Sequence, residues 1–386
     1  MTTFLKPGGI DRLSADPRMR MNHPIRKFLG VARSRVVGIP LFRTQDWWMG
    51  KAIPFLAIAS LSIAKYQDYV GMRLVILHLT LFLTIIFCIA SFGFLLNDYC
   101  DRSQDRLAGR PSPASSTDGR LLVVLMGVLF IVPFLLLSYL PGGKLASVII
   151  LIEYVLFLSY SVRPIRFKER GFAGPLADSL YGHVLPSVTA WIVVVGAQAY
   201  DQLDFLLPLI LLIVWQLPLG LRHILSHQLE NYEADSDAGE RSFVVVNGRE
   251  SAGSLVFKIL APIEALGLSL FLLSTLPYSW MAGLGFLVIG TNYIWLRRCS
   301  AAPSPCHIYA KPRQSMAWKV LSKYFHEWFS LLLILGIVII DFSRWPLLLG
   351  YLILSPLASL TQLCFFLESA LDFLVYVSKF FSWEAK

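Results

Sequence analysis

Three aspartates and one asparagine follow a long apolar run that ends near residue 96. Asn97, Asp101 and Asp105 are four residues apart, so they share one face of a helix, and Asp98 lies beside that face. Bare carboxylates this close repel each other, and a hard divalent cation removes the repulsion. Mg²⁺ prefers oxygen ligands and often shares them with substrate phosphates. The spacing therefore predicts that these four residues bind Mg²⁺. The alternative is a solvated helix end, although the helix dipole disfavours acidic residues there.

A second acidic cluster follows another apolar run, which ends near residue 226. Asn231 and Asp235 are again four residues apart, and Gln228 lies one turn earlier on a similar face. Two such clusters indicate a metal site more strongly than one does. Asn231 offers a carbonyl oxygen but no charge, so we expect Asn231 and Asp235 to form a weaker metal site than two aspartates would.

A cationic segment lies between the two clusters in the sequence. Residues 163–170 contain four Lys or Arg residues, and Pro164 prevents a simple helical continuation. Arg166 and Lys168 can therefore point from a loop towards the acidic residues. A diphosphate held by Mg²⁺ and by cationic side chains explains this combination; the alternative is a basic anchor that only sets membrane topology. Arg222 either meets the diphosphate as well or extends to the membrane interface.

The composition indicates which elements must position these residues. Hydrophobic residues make up 56% of the 386 residues, charged residues make up 15%, and the mean hydropathy is +0.62. A soluble domain has about 25% charged residues, so the composition excludes an ordinary soluble enzyme and a largely disordered chain. Because lipid cannot satisfy an open strand edge, the membrane segments must be helices. We predict nine spans and a long apolar stretch that could add a tenth, near 50–65, 72–96, 121–140, 145–162, 175–197, 204–226, 255–274, 278–296, 326–341 and 345–378.

Positive charge is distributed unequally between the two sides of this predicted bundle. With the N-terminus in the cytoplasm, 28 of the 34 Lys and Arg residues fall on the inner side and four on the outer side. This asymmetry predicts that both acidic clusters and the cationic loop face the cytoplasm. The net charge of +9 favours anionic lipid rather than nucleic acid as a partner. The five cysteines form no CxxC pair, so neither a disulfide framework nor a zinc site is indicated.

At these residues the sequence resembles the UbiA-type membrane prenyltransferase superfamily. That superfamily is marked by NDxxDxxxD after its second span, by a Tyr-Ser loop with Arg and Lys, and by a second acidic motif. In the second motif Asn231 stands where the family usually has Asp, and Ser242 where it usually has Thr. The matching residues are Asn97, Asp98, Asp101 and Asp105, then Tyr160, Ser161, Arg166 and Lys168, then Gln228, Asn231, Asp235, Gly239 and Ser242.

The resemblance implies an all-α transmembrane bundle of about nine or ten spans, with a central cavity capped on the cytoplasmic side. We predict three regions: a basic arm at 1–45, a prenyltransferase-like domain at 46–341 and, beyond what the resemblance explains, an additional apolar segment at 342–386. The resemblance also implies transfer of a prenyl group from a prenyl diphosphate to an acceptor, most commonly aromatic. The expected location is the plasma membrane. Mg²⁺ would assist the ionisation, with Asp98, Asp101, Asp105 and Asp235 as catalytic residues, and with Asn97, Tyr160, Arg166, Lys168 and Arg222 binding the diphosphate.

Two other functions and several side chains remain open at this stage. The same scaffold could act as a terpene cyclase, in which the prenyl chain attacks its own cation, or as a degenerate isoprenoid-binding membrane protein. Asp178 and His183 lie within the fifth span, where ionisable residues are candidates for function. Asp178 could bind the acceptor or remove its proton, and a polar contact between helices is the alternative. His326 and Glu327 are interpreted as an interfacial cap.

Overall fold

The computed structural model describes residues 39–67, 71–107, 112–196, 199–237, 239–299, 321–322 and 324–355. All regular secondary structure within these ranges is helical. Most of the predicted basic arm and the end of the predicted tenth span lie outside the described residues. The division into three regions therefore stays a prediction.

Five helices form the first half of the chain. Each of the second to the fourth is one continuous α-helix, whereas the first and the fifth contain a π-helical segment, Trp48–Ala52 and Leu180–Val184 respectively. The π-helical geometry widens the helix locally and is frequent at functional sites. The bounds are α1 Thr44–Tyr66, α2 Met72–Leu107, α3 Gly119–Leu137, α4 Gly143–Ser161 and α5 at 173–192.

Seven helices form the described part of the second half. Two are short and lie between the sixth and the seventh long helices. A third and a fourth π-helical segment, Leu255–Leu260 and Tyr324–Phe329, lie within α9 and α11. The bounds are α6 Leu203–Glu230, α7 Tyr232–Asp237, α8 Phe243–Asn247, α9 Arg249–Ser274, α10 Trp280–Cys299, α11 Tyr324–Ile340 and α12 Trp345–Leu354.

Six of the described helices, α1, α2, α3, α4, α6 and α9, are long and apolar enough to cross a membrane. Three helices, α5, α10 and α11, lie at the remaining predicted spans and carry polar residues or shorter apolar stretches. The helix α12 lies at the beginning of the predicted tenth span. The predicted all-α membrane fold is confirmed.

The helices differ in how far they are enclosed. In α1, 78% of the most apolar window is buried, against 28% in α3. α1 packs against α2, α5 and α11, so it lies inside the bundle. Val124, Val128 and Leu135 on α3 are instead more than half exposed. In a bilayer that surface meets acyl chains, which removes the free-energy cost that it would have in water.

Candidate active site

A cavity of about 240 Å³ lies between α1, α2, α4 and α5. Trp47, Phe55 and Ile86 give it apolar walls, while Asn97 and Tyr160 stand at one end of it, which is called the head of the cavity. The cavity therefore joins an apolar chamber to a polar mouth. The full lining adds Arg43, Lys51, Ile89, Ala90, Gly93, Phe94, Glu153, Phe157, Ser161, Asp178, Tyr181, Gly182 and Pro186.

The first acidic cluster meets the cationic loop at this head. Lys168 Nζ donates to Asn97 Oδ1 at 3.3 Å and forms an ion pair with Asp101. Arg166 Nη2 donates to the other carboxylate oxygen of Asp101 at 3.0 Å. The structure thus brings together four of the residues predicted from the sequence, Asn97, Asp101, Arg166 and Lys168, and a fifth, Tyr160, lines the cavity. Asp105 belongs to the last turn of α2, but its side chain lies outside the described residues.

Arg166 occupies an unusual backbone conformation. Its φ is +40°, in the left-handed region, and its side chain is only 7% exposed. Besides Asp101, its guanidinium bonds to Glu169 at 2.5 Å. Non-glycine residues adopt this conformation rarely, and such positions cluster at functional sites. The backbone here turns the guanidinium towards the acidic cluster and away from lipid.

Arg43 is a cation of this head that the sequence did not single out. Its Nη1 lies 3.2 Å from Asp98 Oδ1, its Nε lies 2.8 Å from Asp46 Oδ2, and its φ is +50°. Burial alone would lower the pKa of the Arg43 guanidinium, but its hydrogen bond to Asp46 and the charges of Asp98 and Asp46 raise it overall. Arg43 therefore stays charged beside the cavity. In the sequence it is one of many cations of the basic arm, and no spacing distinguishes it.

Tyr160 lines the cavity and contacts α5. Its ring packs edge-on against Tyr181 at 5.4 Å, and the Tyr181 hydroxyl donates to Asp178 at 2.6 Å. The two tyrosines thus hold the Asp178 carboxylate beside the cavity.

The second acidic cluster sits at the end of α6 and in α7. Asn231 ends α6, and its amide nitrogen lies 3.2 Å from His227 Nε2. Asp235 is half-buried on α7. Gln228 Oε1 accepts the Val244 backbone N–H at 3.4 Å, so Gln228 secures α8 rather than facing the head.

The oxygen donors at the head fit a magnesium ion. Among the described side chains, no three His, Cys, Asp or Glu residues converge as a preformed metal cage. Mg²⁺ does not need one, because it usually binds through one or two carboxylates together with waters and substrate phosphates. Asn97, Asp98 and Asp101 supply such oxygens, and Asp235 could add another from α7.

Arg222 is not brought to the cavity. Its side chain is fully buried and pairs through two nitrogens with Glu264 on α9, and its Nη1 donates to Ser322 Oγ at 2.7 Å. This geometry ties α6 to α9 and does not support the predicted role of Arg222 in binding diphosphate. The ring of His326 stacks on that of His223 at 4.8 Å, and the interfacial cap proposed for His326 and Glu327 stays a prediction.

Lys51 and Glu153 line the cavity and were missed in the sequence. Glu153 is the single acidic residue of α4 and is 2% exposed. A charge inside an apolar run is a recognised signal of function, and it could have identified Glu153. In the sequence, Lys51 is one of the positive charges that flank the first predicted span and favour its orientation.

A larger and more open groove of about 1230 Å³ lies at the opposite end of the bundle. The α3–α4 and α5–α6 connections form it, and Lys144 is its only cation among the described lining residues. Tyr66 and Tyr200 also line it. The lining residues that the structure describes here include no carboxylate, so the chemistry expected of the chain belongs to the smaller cavity.

This chain is similar to known proteins in both sequence and fold. The model of the UbiA prenyltransferase family matches residues 52–311, more than half of the chain. The bacteriochlorophyll synthase 33 kDa chain of Rhodobacter capsulatus is 29% identical over 210 residues, which cover 52% of this chain and 66% of that relative. The chain thus spans just under two thirds of the relative's length.

Two solved structures of a UbiA homolog from Archaeoglobus fulgidus also match. The one bound to DMAPP and Mg²⁺ has a TM-score of 0.53 at 15% identity and covers 78% of this chain and 95% of that chain. The one bound to GPP and Mg²⁺ gives 0.53 at 14% identity with the same coverage. At this identity the likeness establishes a shared fold, while the family match confirms the resemblance read from the motifs. The chain belongs to the UbiA prenyltransferase family.

Proposed function

We propose that this chain is an integral-membrane prenyltransferase that moves a prenyl group from a prenyl diphosphate to an acceptor. One observation carries the proposal: Asp101 and Asn97 meet Arg166 and Lys168 at the head of an apolar cavity. The carboxylates suit a metal, the cations suit phosphate oxygens, and the chamber suits an isoprenoid tail. The name of the bacterial relative and the ligands of the archaeal homologues support the same chemistry.

Asn97, Asp98, Asp101 and Asp105 would hold Mg²⁺ from α2, and Asn231 and Asp235 would contribute from the second acidic cluster. When bound there, Mg²⁺ supplies positive charge that stabilises the diphosphate as a leaving group. Asp235 is the one carboxylate at the spacing of the second motif. The site residues predicted from the sequence, apart from Arg222, thus keep their proposed roles.

Positively charged side chains of the protein would also stabilise the diphosphate as it leaves. Arg166 and Lys168 bind Asp101 and would turn their remaining N–H groups to the diphosphate oxygens. As the C1–O bond breaks, its electron pair stays on the diphosphate, where positioned cations lower the barrier most. The nucleophilic atom of the acceptor then bonds to C1, and the acceptor loses a proton. The aromatic walls beneath the head exclude water from the allylic cation.

The charge asymmetry of the sequence supports a mouth that faces the cytoplasm. The location that we propose is the plasma membrane. An aromatic acceptor is the leading candidate.

The test is metal-dependent turnover of purified protein. We expect diphosphate release from geranyl diphosphate to need Mg²⁺ or Mn²⁺, and Asp101→Ala to lower the rate by roughly two orders of magnitude or more. Asp204→Asn is the control, because Asp204 is exposed at the far end of the bundle and pairs with Lys65 at 3.0 Å. Full activity in excess chelator would contradict the proposal. A cyclic product formed without acceptor would assign the chain to terpene cyclisation instead.

A further inference from the structure

We infer that the chain has a second activity: without an acceptor, it converts a prenyl diphosphate into an acyclic conjugated alkene, and Glu153 accepts the proton that the prenyl group loses. The inference rests on the proposed ionisation of a prenyl diphosphate and goes beyond transfer, because no acceptor takes part. It also differs from cyclisation, since the carbon chain forms no new ring.

The charges along the cavity favour a cation inside it. Arg43 pairs with Asp98 at the head, and the other charged side chains among the described lining residues are Lys51, Glu153 and Asp178. One ammonium group thus stands against two carboxylates. An excess of negative charge in a cavity that excludes water stabilises a cation far more than it would in water. The lining therefore suits the allylic cation that ionisation produces.

Asp178 is the better compensated of the two carboxylates. The Tyr181 hydroxyl donates to Asp178 Oδ1 at 2.6 Å. A methyl group at Gly182 would lie 2.8 Å from Lys51 Nζ and 3.9 Å from Asp178 Oδ2, so the ammonium group and the carboxylate stand at the same glycine. A hydrogen bond and a nearby cation both favour the charged form of a carboxylate. Asp178 is therefore a weak proton acceptor.

Glu153 lacks such partners. It is 2% exposed, and within the described part of the chain its Oε2 has no hydrogen-bond partner. The charge of Lys51 acts on it only from a distance. A buried carboxylate oxygen without a partner costs free energy, and accepting a proton removes the charge and most of that cost. Glu153 is therefore the stronger base of the two.

Glu153 also lies at the depth of the first carbons of a prenyl group. It precedes Tyr160 by seven residues, which is about 10 Å along α4, and Tyr160 stands at the head. The diphosphate fills the upper part of that distance, and C1 follows it directly. The carbons attached to C3, which are those that lose a proton from an allylic cation, then come beside the Glu153 carboxylate.

The reaction balances without another reactant. As the C1–O bond breaks, its electron pair stays on the diphosphate. A C–H bond on a carbon attached to C3 then supplies its electron pair to a new C=C bond, and its proton goes to Glu153. The proton finally passes to the diphosphate or to water at the head. Each turnover thus yields one conjugated alkene and one protonated diphosphate.

The walls of the cavity disfavour the competing fates of the cation. Trp47, Phe55 and Phe157 line it, and aromatic faces stabilise a cation while they exclude the water that would turn it into an alcohol. The trans double bond of a geranyl cation prevents direct closure of a six-membered ring. Proton loss is the fate that remains when no acceptor is bound.

The experiment measures products rather than rates. Purified protein in detergent is incubated with geranyl diphosphate and Mg²⁺ without an acceptor, and hydrocarbons and alcohols are quantified by gas chromatography and mass spectrometry. The readout is the acyclic alkene formed per diphosphate released. The variants are Glu153→Gln and Glu153→Asp, and Glu250→Gln is the matched control, because Glu250 is exposed in the first turn of α9. Thermal unfolding confirms that each variant is folded.

We expect the acyclic alkene to be the main organic product of the wild type. Glu153→Gln should lower the ratio of alkene to diphosphate at least roughly tenfold, because a positioned base typically contributes about 10²–10⁴ to a proton transfer. Alcohol from water capture should replace the alkene. Glu153→Asp keeps a carboxylate but withdraws it by one methylene, so its ratio should be intermediate. Glu250→Gln should match the wild type.

An unchanged ratio in Glu153→Gln would overturn the inference. If that variant releases no diphosphate, Glu153→Asp decides, and a wild-type ratio there would overturn it as well. A wild type that releases diphosphate but forms only alcohol or a cyclic hydrocarbon would also overturn it, while ionisation of the prenyl diphosphate would stand. A wild type that releases no diphosphate in the presence of Mg²⁺ would refute the proposed function itself.

Discussion

At the scale of single residues, Asn231 is the position where the motif of this chain lacks a charge that the family usually has. It has the spacing of the second acidic motif without its charge. Its amide lies beside the His227 ring, at 3.2 Å from Nε2. An amide oxygen can bind a cation, but it lacks the charge of a carboxylate.

We therefore predict that Asn231→Asp preserves activity and lowers the Mg²⁺ concentration that gives half the maximal rate. The added carboxylate attracts the metal more strongly than the amide oxygen does. Asp235→Ala should be severely impaired, because it removes the one carboxylate at the motif's own spacing. The measurement is initial rate against Mg²⁺ concentration for each variant.

Asn247→Asp is the matched control for Asn231→Asp, since Asn247 is exposed at the end of α8. It adds the same charge away from the acidic cluster and should leave the Mg²⁺ curve unchanged. An unchanged curve for Asn231→Asp as well would show that Asn231 is not a weakened metal ligand. A change of product with the same curve would assign it to acceptor or intermediate binding.

At the scale of elements, the Arg222–Glu264 pair connects α6 and α9. Both side chains are about 1% exposed or less. Breaking a buried pair on one side leaves an uncompensated charge and costs about 3–5 kcal/mol. Replacing both partners by apolar residues of similar volume is often neutral.

The pair allows a test of the structural role of Arg222. Arg222→Met should destabilise the protein, whereas Arg222→Met combined with Glu264→Met should recover most of the stability and the prenyl-transfer rate. Thermal unfolding in detergent and initial rates measure both effects. A stable but inactive double variant would indicate that Arg222 binds the diphosphate, as the sequence suggested.

The cationic loop gives a second prediction at this scale. Arg166 has a φ of +40°, a conformation that costs a residue with a Cβ roughly 1–2 kcal/mol and costs glycine almost nothing. Arg166→Gly and Arg166→Ala should therefore lose activity equally, because both lack the guanidinium. The glycine variant should be the more stable by about 1 kcal/mol.

The same two substitutions at Arg170 provide the control, because its φ of −114° suits any residue. There the alanine variant should be at least as stable as the glycine variant. The measurement is the midpoint of thermal unfolding of the four variants. A glycine advantage of the same size at both positions would show that the conformation of Arg166 is not the cause.

At the scale of the whole molecule, local periodicity explains which parts of the fold and of the site could be predicted from the sequence. The four-residue spacing of Asn97 and Asp101 fixes one helix face whatever surrounds it, and the structure places both against Lys168. The long apolar runs locate the spans for the same reason, since their length must match a bilayer.

What could not be predicted depends on contacts between distant parts of the chain. Glu264, the partner of Arg222, is 42 residues away, and no pattern connects them. His183, His223 and His326 meet only because α5, α6 and α11 pack together. Each is an isolated polar residue in its own segment, so the sequence shows the residue without showing the cluster.

The orientation in the membrane is the remaining property of the whole molecule. In the sequence, 28 Lys and Arg residues fall on the side of the acidic clusters and four on the other. Such residues are retained in the cytoplasm during insertion. Ser103, near the end of α2, and Ser236, in α7, are exposed beside the two clusters, while Ser138 is exposed in the α3–α4 connection at the opposite end.

These three serines test the orientation directly. In a background with the five native cysteines replaced, we expect Ser138→Cys to react with a membrane-impermeant maleimide added to intact cells. Ser103→Cys and Ser236→Cys should react only after the membrane is opened, because the charge asymmetry holds their side in the cytoplasm. Labelling of opened cells shows in each case that the thiol is accessible. Reaction of Ser103→Cys and Ser236→Cys in intact cells, with Ser138→Cys protected, would reverse the orientation and place the mouth of the cavity outside.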